Sequence, residues 1–201
     1  MNIESTLNKG LTVLKANKIR TAQLDVEILL SCLIKKDKKY ICLNQKKLLN
    51  LDQVNKFNIL IERRKKGEPV AHIINKKEFW NEEFYVNEDV LIPRPDTELI
   101  IEQVLKIYAR QSQAQVLDIG TGSGCILLSI LKERPNFYGT GIDISKKSIK
   151  VCKFNANKLN LINRSKFIHS DVDNFKIGKY DIVVSNPPYI ELLSFKYLEK
   201  D

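Results

Sequence analysis

Residues 115–131, which read QVLDIGTGSGCILLSIL, decide the fold of this chain. The apolar run at residues 116–119 is too short for a helix and predicts a buried strand. Gly120, Gly122 and Gly124 then allow a sharp turn and the close approach of a ligand to the backbone. The apolar run after the loop predicts a helix. A strand, a glycine-rich loop and a helix in this order are typical of nucleotide-binding α/β folds.

Three more apolar segments downstream of this loop predict further strands. They lie at residues 140–143, 166–169 and 180–184, and a helix predicted to begin after Ser145 separates the first two. Strands that alternate with helices at this spacing predict a parallel, right-handed, doubly wound sheet. The expected fold class of this part of the chain is therefore α/β and Rossmann-like.

The glycine loop differs from the loop that binds dinucleotides. The dinucleotide fingerprint is G-x-G-x-x-G, and its last position is occupied here by Cys125. Asp143 ends the second predicted strand, where a carboxylate can accept hydrogen bonds from both ribose hydroxyls. The ligand implied is a nucleoside without a pyrophosphate. The residues expected to bind it are Gly120, Thr121, Gly122, Ser123, Gly124 and Asp143.

A second motif, VVSNPPY at residues 183–189, stands at the end of the last predicted strand. Its two prolines fix φ and hold Asn186 extended at the carboxyl end of the strand, where open α/β sheets bind ligands. The side-chain carbonyl of Asn186 and the main-chain carbonyl of Pro187 can accept both hydrogens of a planar NH2 group. Pro188 stiffens the corner and Tyr189 offers an aromatic face. The alternative is a proline-rich turn that only ends the strand.

The N-terminal part of the chain has a different pattern. Apolar residues recur at helical spacing over residues 3–66 and predict a bundle of four or five short helices. Gly67 and Pro69 mark a boundary, after which residues 70–86 predict a hairpin with its turn at residues 75–77. The expected domains are a helical domain at 1–67, a hairpin and linker at 68–95, and an α/β domain at 96–201.

Residues 94–98, which read RPDTE, follow Pro93 and precede a predicted helix. Asp96 or Thr97 suits the cap of that helix. The same segment also suits a charged lip over a nearby ligand, so both interpretations stay open.

The composition of the chain further limits the class of protein and the kinds of binding site that it can have. The chain has 201 residues, a net charge of +9 and four cysteines without a CxxC pair, and its two histidines are far apart. This pattern predicts reduced thiols in a cytosolic protein and gives no metal-ligand spacing. No apolar run is long enough to span a membrane. The lysine pairs are spread along the sequence as on solvated faces, which does not favour a specific nucleic-acid patch.

Together these motifs resemble the release-factor glutamine methyltransferases, the HemK/PrmC family, within the class I S-adenosylmethionine-dependent methyltransferases. The resemblance implies S-adenosylmethionine as cofactor and methylation of the glutamine amide in the Gly-Gly-Gln motif of class 1 peptide-chain release factors. The glycine loop and Asp143 would hold the cofactor, with Val172 beside the adenine, where the family often has an aromatic residue. Asn186 and Pro187 would position the amide, Asn186 would also contact the cofactor, and Tyr189 would wall the pocket. The helical domain would hold the release factor, and we expect a cytoplasmic monomer.

Two other interpretations remain open. The Asn-Pro-Pro-Tyr corner also occurs in adenine-N6 methyltransferases, which the charge of +9 would suit. The chain ends at Asp201, before the further strands that this class of sheet normally has, so we expect the sheet to be incomplete at its C-terminus. A non-catalytic fragment, with the helical domain as the working part, is therefore the third interpretation.

Overall fold

The structure, a computed structural model, describes residues 1–187. The chain divides into two compact units. One comprises residues Met1–Ile74, and the other begins at Asn75. The first is built from helices and the second contains the sheets.

The helical unit has five α-helices among its described residues, which confirms the predicted bundle. They are α1 (Ile3–Ala16), α2 (Ala22–Ile34), α3 (Lys38–Leu43), α4 (Leu51–Lys65) and α5 (Val70–Ile74). Ile3, Leu14 and Phe57 are among the side chains buried in its core. A Cβ added to Gly10 would lie 2.9 Å from Cε1 of Phe57, so α1 and α4 approach closely at this point.

Helix α4 begins and ends with clear signals. Asn50 and Gln53 form a capping box at its start. Gly67 follows its end with φ of 91°, a conformation that favours glycine. The chain then turns back into α5, which packs on α2 and α4. The helical unit therefore ends at Ile74 rather than at residue 67.

A buried ion pair joins two helices of this unit. Nε of Arg64 donates to Oδ2 of Asp25 at 2.7 Å, and both side chains are about 6% exposed. The hydroxyl of Thr21 donates to the same carboxylate at 2.9 Å and makes no helix cap. Each charge is thereby satisfied in a place where a lone charge would be costly.

Positive charge is concentrated in the helical unit. Residues 1–74 contain 15 Lys or Arg against 7 Asp or Glu, which is +8 of the +9 carried by the whole chain. The ammonium groups of Lys36 and Lys47 each lie 5.3 Å from the centre of the Tyr40 ring. The fold therefore brings one lysine from each of two pairs that are separate in the sequence to the same ring on α3.

The second unit opens with a hairpin that is shorter than predicted. Its strands are β1 (Lys77–Phe79) and β2 (Glu82–Phe84), joined by Trp80 and Asn81. Both turn residues have positive φ, 50° and 59°, as a tight two-residue hairpin turn requires. The predicted turn at residues 75–77 was wrong, and the first five residues of the predicted hairpin form α5 instead.

A four-stranded parallel sheet follows and confirms the predicted α/β class. Its strands are β3 (Ala114–Ile119), β4 (Phe137–Asp143), β5 (Ser165–His169) and β6 (Ile182–Ser185), in the order β5-β4-β3-β6. Helix α6 (Glu98–Ile107) precedes the sheet and packs on α7 (Cys125–Glu133). Helix α7 connects β3 to β4, and α8 (Lys146–Lys158) connects β4 to β5. Short 3-10 turns occur at Pro95–Thr97 and Ile162–Arg164. The question of further strands falls partly on residues 188–201, outside the described part.

The strand order places a topological switch point between β3 and β6. The chain leaves β3 towards β4 and β5 on one side and returns to β6 on the other. Open α/β sheets bind ligands at the carboxyl ends of the strands beside such a point. Ser185 fixes the end of β6 there, since its hydroxyl donates to the carbonyl of Ile119 at 2.9 Å.

No helix within residues 1–187 is long and apolar enough to cross a membrane.

Candidate active site

A cavity of about 670 Å³ opens at the carboxyl ends of the parallel strands. It is lined by the loops that follow all four strands, together with residues 88–94 and Thr97. Its volume is in the range of pockets that hold small ligands and cofactors. The position at the switch point is the one that the sheet topology predicts for a ligand site.

The glycine loop forms one wall of this cavity. Gly120, Gly122 and Gly124 all have positive φ, at 71°, 55° and 81°. The backbone N–H groups of Gly120 and Thr121 donate to the carbonyl of Ile142 at 2.9 Å, which ties the loop to β4. A Cβ at Gly120 would meet no atom within 4 Å, so glycine is required there for its conformation and leaves open space for a ligand.

Asp143 links the loop after β3 to the loop after β4. Its Oδ2 accepts from the N–H of Gly122 at 2.9 Å, and its Oδ1 accepts from the N–H of Ser145 at 2.8 Å. Each carboxylate oxygen can accept a further hydrogen bond. The half-buried carboxylate lines the cavity and is held where it can receive two hydroxyl groups of a ligand.

Asp118 supports the same loop from within the sheet. Its side chain is 1% exposed, and its Oδ2 accepts from the hydroxyl of Thr121 at 2.7 Å. Its Oδ1 has no hydrogen-bond partner among residues 1–187. Burial raises the pKa of this carboxyl to about 6, while the hydrogen bond from Thr121 acts in the opposite direction. Asp118 therefore lies beneath the loop and does not line the cavity.

The far side of the cavity has apolar side chains. Val172 is 49% exposed and Ile144 is 71% exposed, and both line the cavity beside Ser170 and Asp171. Val172 therefore lines the cavity, and its place beside an adenine stays a prediction. An aliphatic side chain can contact a flat ring but cannot stack on it as an aromatic residue does.

Asn186 stands at the opposite end of the cavity, directly after β6. Its Nδ2 donates to the hydroxyl oxygen of Thr97 at 2.9 Å. Asn186 and Pro187 both line the cavity. Pro188 and Tyr189, the other predicted members of the substrate site, lie outside the described residues. The structure thus brings the described members of the predicted site to one cavity, except Gly124, which does not line it, and their binding roles stay predictions.

Thr97 is the site residue whose role the sequence did not reveal. The segment at residues 94–98 was interpreted as a helix cap or a charged lip. Thr97 makes no side-chain cap, and its buried hydroxyl meets Asn186 instead. Arg94 does line the cavity, as the lip interpretation expects. Glu98 turns away to accept a hydrogen bond from the backbone of Trp80 at 3.0 Å.

Asn155 is a second structural residue that no sequence pattern indicated. Its Oδ1 accepts from the N–H of Tyr85 at 2.8 Å, and its Nδ2 donates to the carbonyls of Tyr85 and Ser123 at 2.9 and 2.8 Å. A fully buried amide on α8 therefore ties the segment after β2 to the glycine loop. Its position in an amphipathic helix gave no signal for this role.

Comparison with known proteins places the two parts of the chain in one class. Residues 95–197 match the family described as "Methyltransferase small domain", and residues 5–74 match the "PrmC N-terminal domain". The first match covers just over half of the chain. The sheet and its cavity therefore belong to a methyltransferase domain.

Curated relatives narrow this class. The chain is 39% identical to the release factor glutamine methyltransferase of Buchnera aphidicola subsp. Schizaphis graminum, over all of the chain and 72% of that protein. It is 42% identical to the protein of the same name from Buchnera aphidicola subsp. Baizongia pistaciae, over 89% of the chain and 64% of that protein. The chain belongs to the release factor glutamine methyltransferase family, as its motifs predicted.

A longer relative shows the same similarity over a smaller share of its length. The bifunctional methyltransferase of Rickettsia bellii is 37% identical over 95% of the chain, which corresponds to 39% of that protein. The chain therefore spans between about two fifths and three quarters of the length of the relatives compared.

Proposed function

We propose that this chain methylates the side-chain amide nitrogen of the glutamine in the Gly-Gly-Gln motif of class 1 peptide-chain release factors, with S-adenosylmethionine as methyl donor. The observation that carries this proposal is the position of Asn186 and Pro187. Both line one end of a cavity whose other residues suit a nucleoside. The family membership supports the same reaction.

The described residues fit the cofactor. Asp143 presents carboxylate oxygens with remaining acceptor capacity, which suits a ribose diol. The open space at Gly120 lets a ligand approach the backbone, and Val172 and Ile144 provide apolar contacts for a flat base. Arg94 lines the same cavity and can pair with the carboxylate of an amino-acid tail.

When bound, S-adenosylmethionine supplies an electrophilic methyl group on a sulfonium centre. The residues of this chain would contribute binding and orientation. An amide nitrogen is a poor nucleophile because its lone pair is delocalised. The carbonyls of Asn186 and Pro187 would accept its two hydrogens and direct the lone pair at the methyl carbon. The nitrogen would take the methyl group in one in-line displacement as the carbon–sulfur bond breaks. S-adenosylhomocysteine would leave with the bonding electron pair, and the nitrogen would release one proton to water.

The helical unit would hold the release factor. Its charge of +8 would draw an anionic partner, and the resulting association rate falls as salt screens the charges. We also propose that the protein acts as a cytoplasmic monomer. Pro188 and Tyr189 would complete the wall around the glutamine side chain.

The experiment that tests this proposal is a methyl-transfer assay with purified release factor and isotopically labelled S-adenosylmethionine. The labelled peptide should contain the Gly-Gly-Gln motif, and fragmentation should place the methyl group on the glutamine. A release factor with that glutamine changed to alanine is the matched control and should stay unlabelled. Label on another residue, or no label despite cofactor binding, would contradict the proposal.

Adenine-N6 methylation is the second candidate, because an acceptor pair of this kind also suits an exocyclic amine. The two candidates separate in the same assay when the release factor is replaced by duplex oligonucleotides. Label in adenine and none in the release factor would favour the second. A chain that binds release factor but takes no cofactor would be a binding module only.

A further inference from the structure

Of the two ends of the Asn186 side-chain amide, one has a hydrogen-bond partner within residues 1–187 and the other has none. Its NH2 group donates to the hydroxyl of Thr97 at 2.9 Å. Its Oδ1 has no hydrogen-bond partner among residues 1–187, and the side chain lines the cavity. An amide carries its acceptor and its donors at opposite ends of one plane. Fixing the NH2 end at Thr97 therefore directs the carbonyl end away from it.

The direction of this amide decides whether the proposed chemistry works. A substrate NH2 group can be gripped only by acceptors, so Oδ1 must face it. With the Asn186 amide turned over, two NH2 groups would face each other and neither would gain a hydrogen bond. The arrangement in the structure is the productive one of the two.

Thr97 is well placed to hold the Asn186 amide in the arrangement seen in the structure, because it comes from a different element and is itself fixed. It ends the 3-10 turn before α6, its N–H donates to the carbonyl of Arg94 at 3.0 Å, and it is 7% exposed. The backbone beside Asn186 is held separately, by the pairing of β6 with β3 and by the hydroxyl of Ser185. The side chain and the backbone of Asn186 thus have independent anchors.

We propose that Thr97 is a positioning residue for methyl transfer, whose hydroxyl holds the Asn186 amide with Oδ1 turned towards the substrate nitrogen. This inference rests on the proposed function, since it assigns a role within the same site. Thr97 touches neither substrate nor cofactor in this role and acts through Asn186 alone.

The test compares Thr97→Val, which keeps the shape and removes the hydroxyl, with Thr97→Ser, which keeps the hydroxyl. The release-factor assay should show a kcat about 10- to 100-fold lower for Thr97→Val. A wrongly oriented Asn186 amide slows methyl transfer without weakening the binding of the ligands. Thr97→Ser should stay within about threefold of the unsubstituted chain. S-adenosylmethionine affinity, measured by calorimetry, should change less than about twofold in both variants. Equal losses in both variants, or an unchanged kcat in Thr97→Val, would overturn the proposal.

A double variant separates this role from a general loss of structure. If Thr97 acts only through Asn186, then Thr97→Val combined with Asn186→Ala should be no slower than Asn186→Ala alone. Independent, multiplying losses would show that Thr97 acts elsewhere and would overturn the proposal.

A spectroscopic measurement needs neither turnover nor a stable Thr97 variant. The side-chain NH2 signals of Asn186 are assigned by their absence in Asn186→Ala. In the unsubstituted chain one of the two protons should exchange slowly with water, as a hydrogen-bonded proton does. Two freely exchanging protons would overturn the proposal. If the protons are protected but the release factor takes no methyl group, the hydrogen bond stands while the proposed function and this role both fail.

Discussion

The carboxylate of Asp143 accepts the backbone N–H of Gly122 at 2.9 Å, and this contact joins the loop after β3 to the end of β4. The same carboxylate accepts the N–H of Ser145 at 2.8 Å. One side chain thus fixes two of the loops that line the cavity and still has acceptor capacity for a ligand. Loop geometry and ligand binding are coupled at this residue.

Asp143→Asn should weaken S-adenosylmethionine binding by roughly 10- to 100-fold, because one acceptor becomes a donor that faces a backbone N–H or a ribose hydroxyl. Calorimetric titration measures this change. Asp173→Asn is the matched control, since Asp173 is exposed and does not line the cavity. An Asp143→Asn affinity equal to that of the control would show that the carboxylate does not hold the ligand.

The glycines of the loop should differ in their tolerance of a methyl group. Gly120→Ala adds only backbone strain, of about 1 kcal/mol, because its Cβ would meet nothing within 4 Å. Gly124→Ala adds the same strain and places a Cβ 3.1 Å from the Cβ of Cys152 and from Cδ1 of Leu128. Urea unfolding should therefore show the larger stability loss for Gly124→Ala. Equal losses would mean that packing against α8 does not constrain the loop.

Asp118 should make the protein less stable as the pH rises through the mildly acidic range. Its pKa of about 6 when folded lies above the ordinary value of 3.8, because burial disfavours the charged form. The folded state therefore binds more protons than the unfolded state between about pH 4 and 6, and the free energy of unfolding falls across that window. Above pH 6 the cost is complete and amounts to about 3 kcal/mol.

Asp118→Asn keeps the acceptor for Thr121 and removes the charge. We expect its free energy of unfolding to be flatter between pH 4 and 6 than that of the unsubstituted chain, with a gain in stability at pH 7. Denaturant unfolding at several pH values measures both. The same pH slope in the two proteins would show that Asp118 does not titrate in this range.

The ion pair between Arg64 and Asp25 should matter far more than a surface pair in the same unit. Arg64→Met leaves a carboxylate buried without its cation, which typically costs about 3–5 kcal/mol. Lys56 and Asp52 on α4 form the control pair, with side chains 59% and 68% exposed. Lys56→Met should cost less than about 1 kcal/mol. Chemical denaturation of both variants compares them, and similar losses would contradict the importance of burial.

The parallel sheet could be predicted because its signals are local. Each strand contains a short stretch of apolar or β-branched residues, and the glycines at residues 120, 122 and 124 mark the loop without reference to any distant residue. The hairpin turn could not be predicted in this way. Trp80 and Asn81 take positive φ in a setting where Glu98 and Glu133 accept hydrogen bonds from the Trp80 backbone and ring, 18 and 53 residues away.

Part of the site could not be predicted because it depends on contacts between residues that are far apart in the sequence. The hydroxyl of Thr97 meets Asn186 across 89 residues of sequence, and the local pattern around Thr97 is that of a helix start. The clustering of lysines beside Tyr40 depends in the same way on the path of the chain from α2 to the segment after α3. Local sequence can indicate such residues, but only the fold determines which of them meet.

The most direct test is single-turnover methyl transfer to the Gly-Gly-Gln glutamine by the unsubstituted chain and by Asn186→Ala, with S-adenosylmethionine affinity measured on both. Asn186→Ala should lose at least about 100-fold in rate and keep most of its cofactor affinity, because the acceptor for the substrate amide is gone while Asp143 and the glycine loop remain. A rate for Asn186→Ala close to that of the unsubstituted chain would contradict the proposed grip on the glutamine amide.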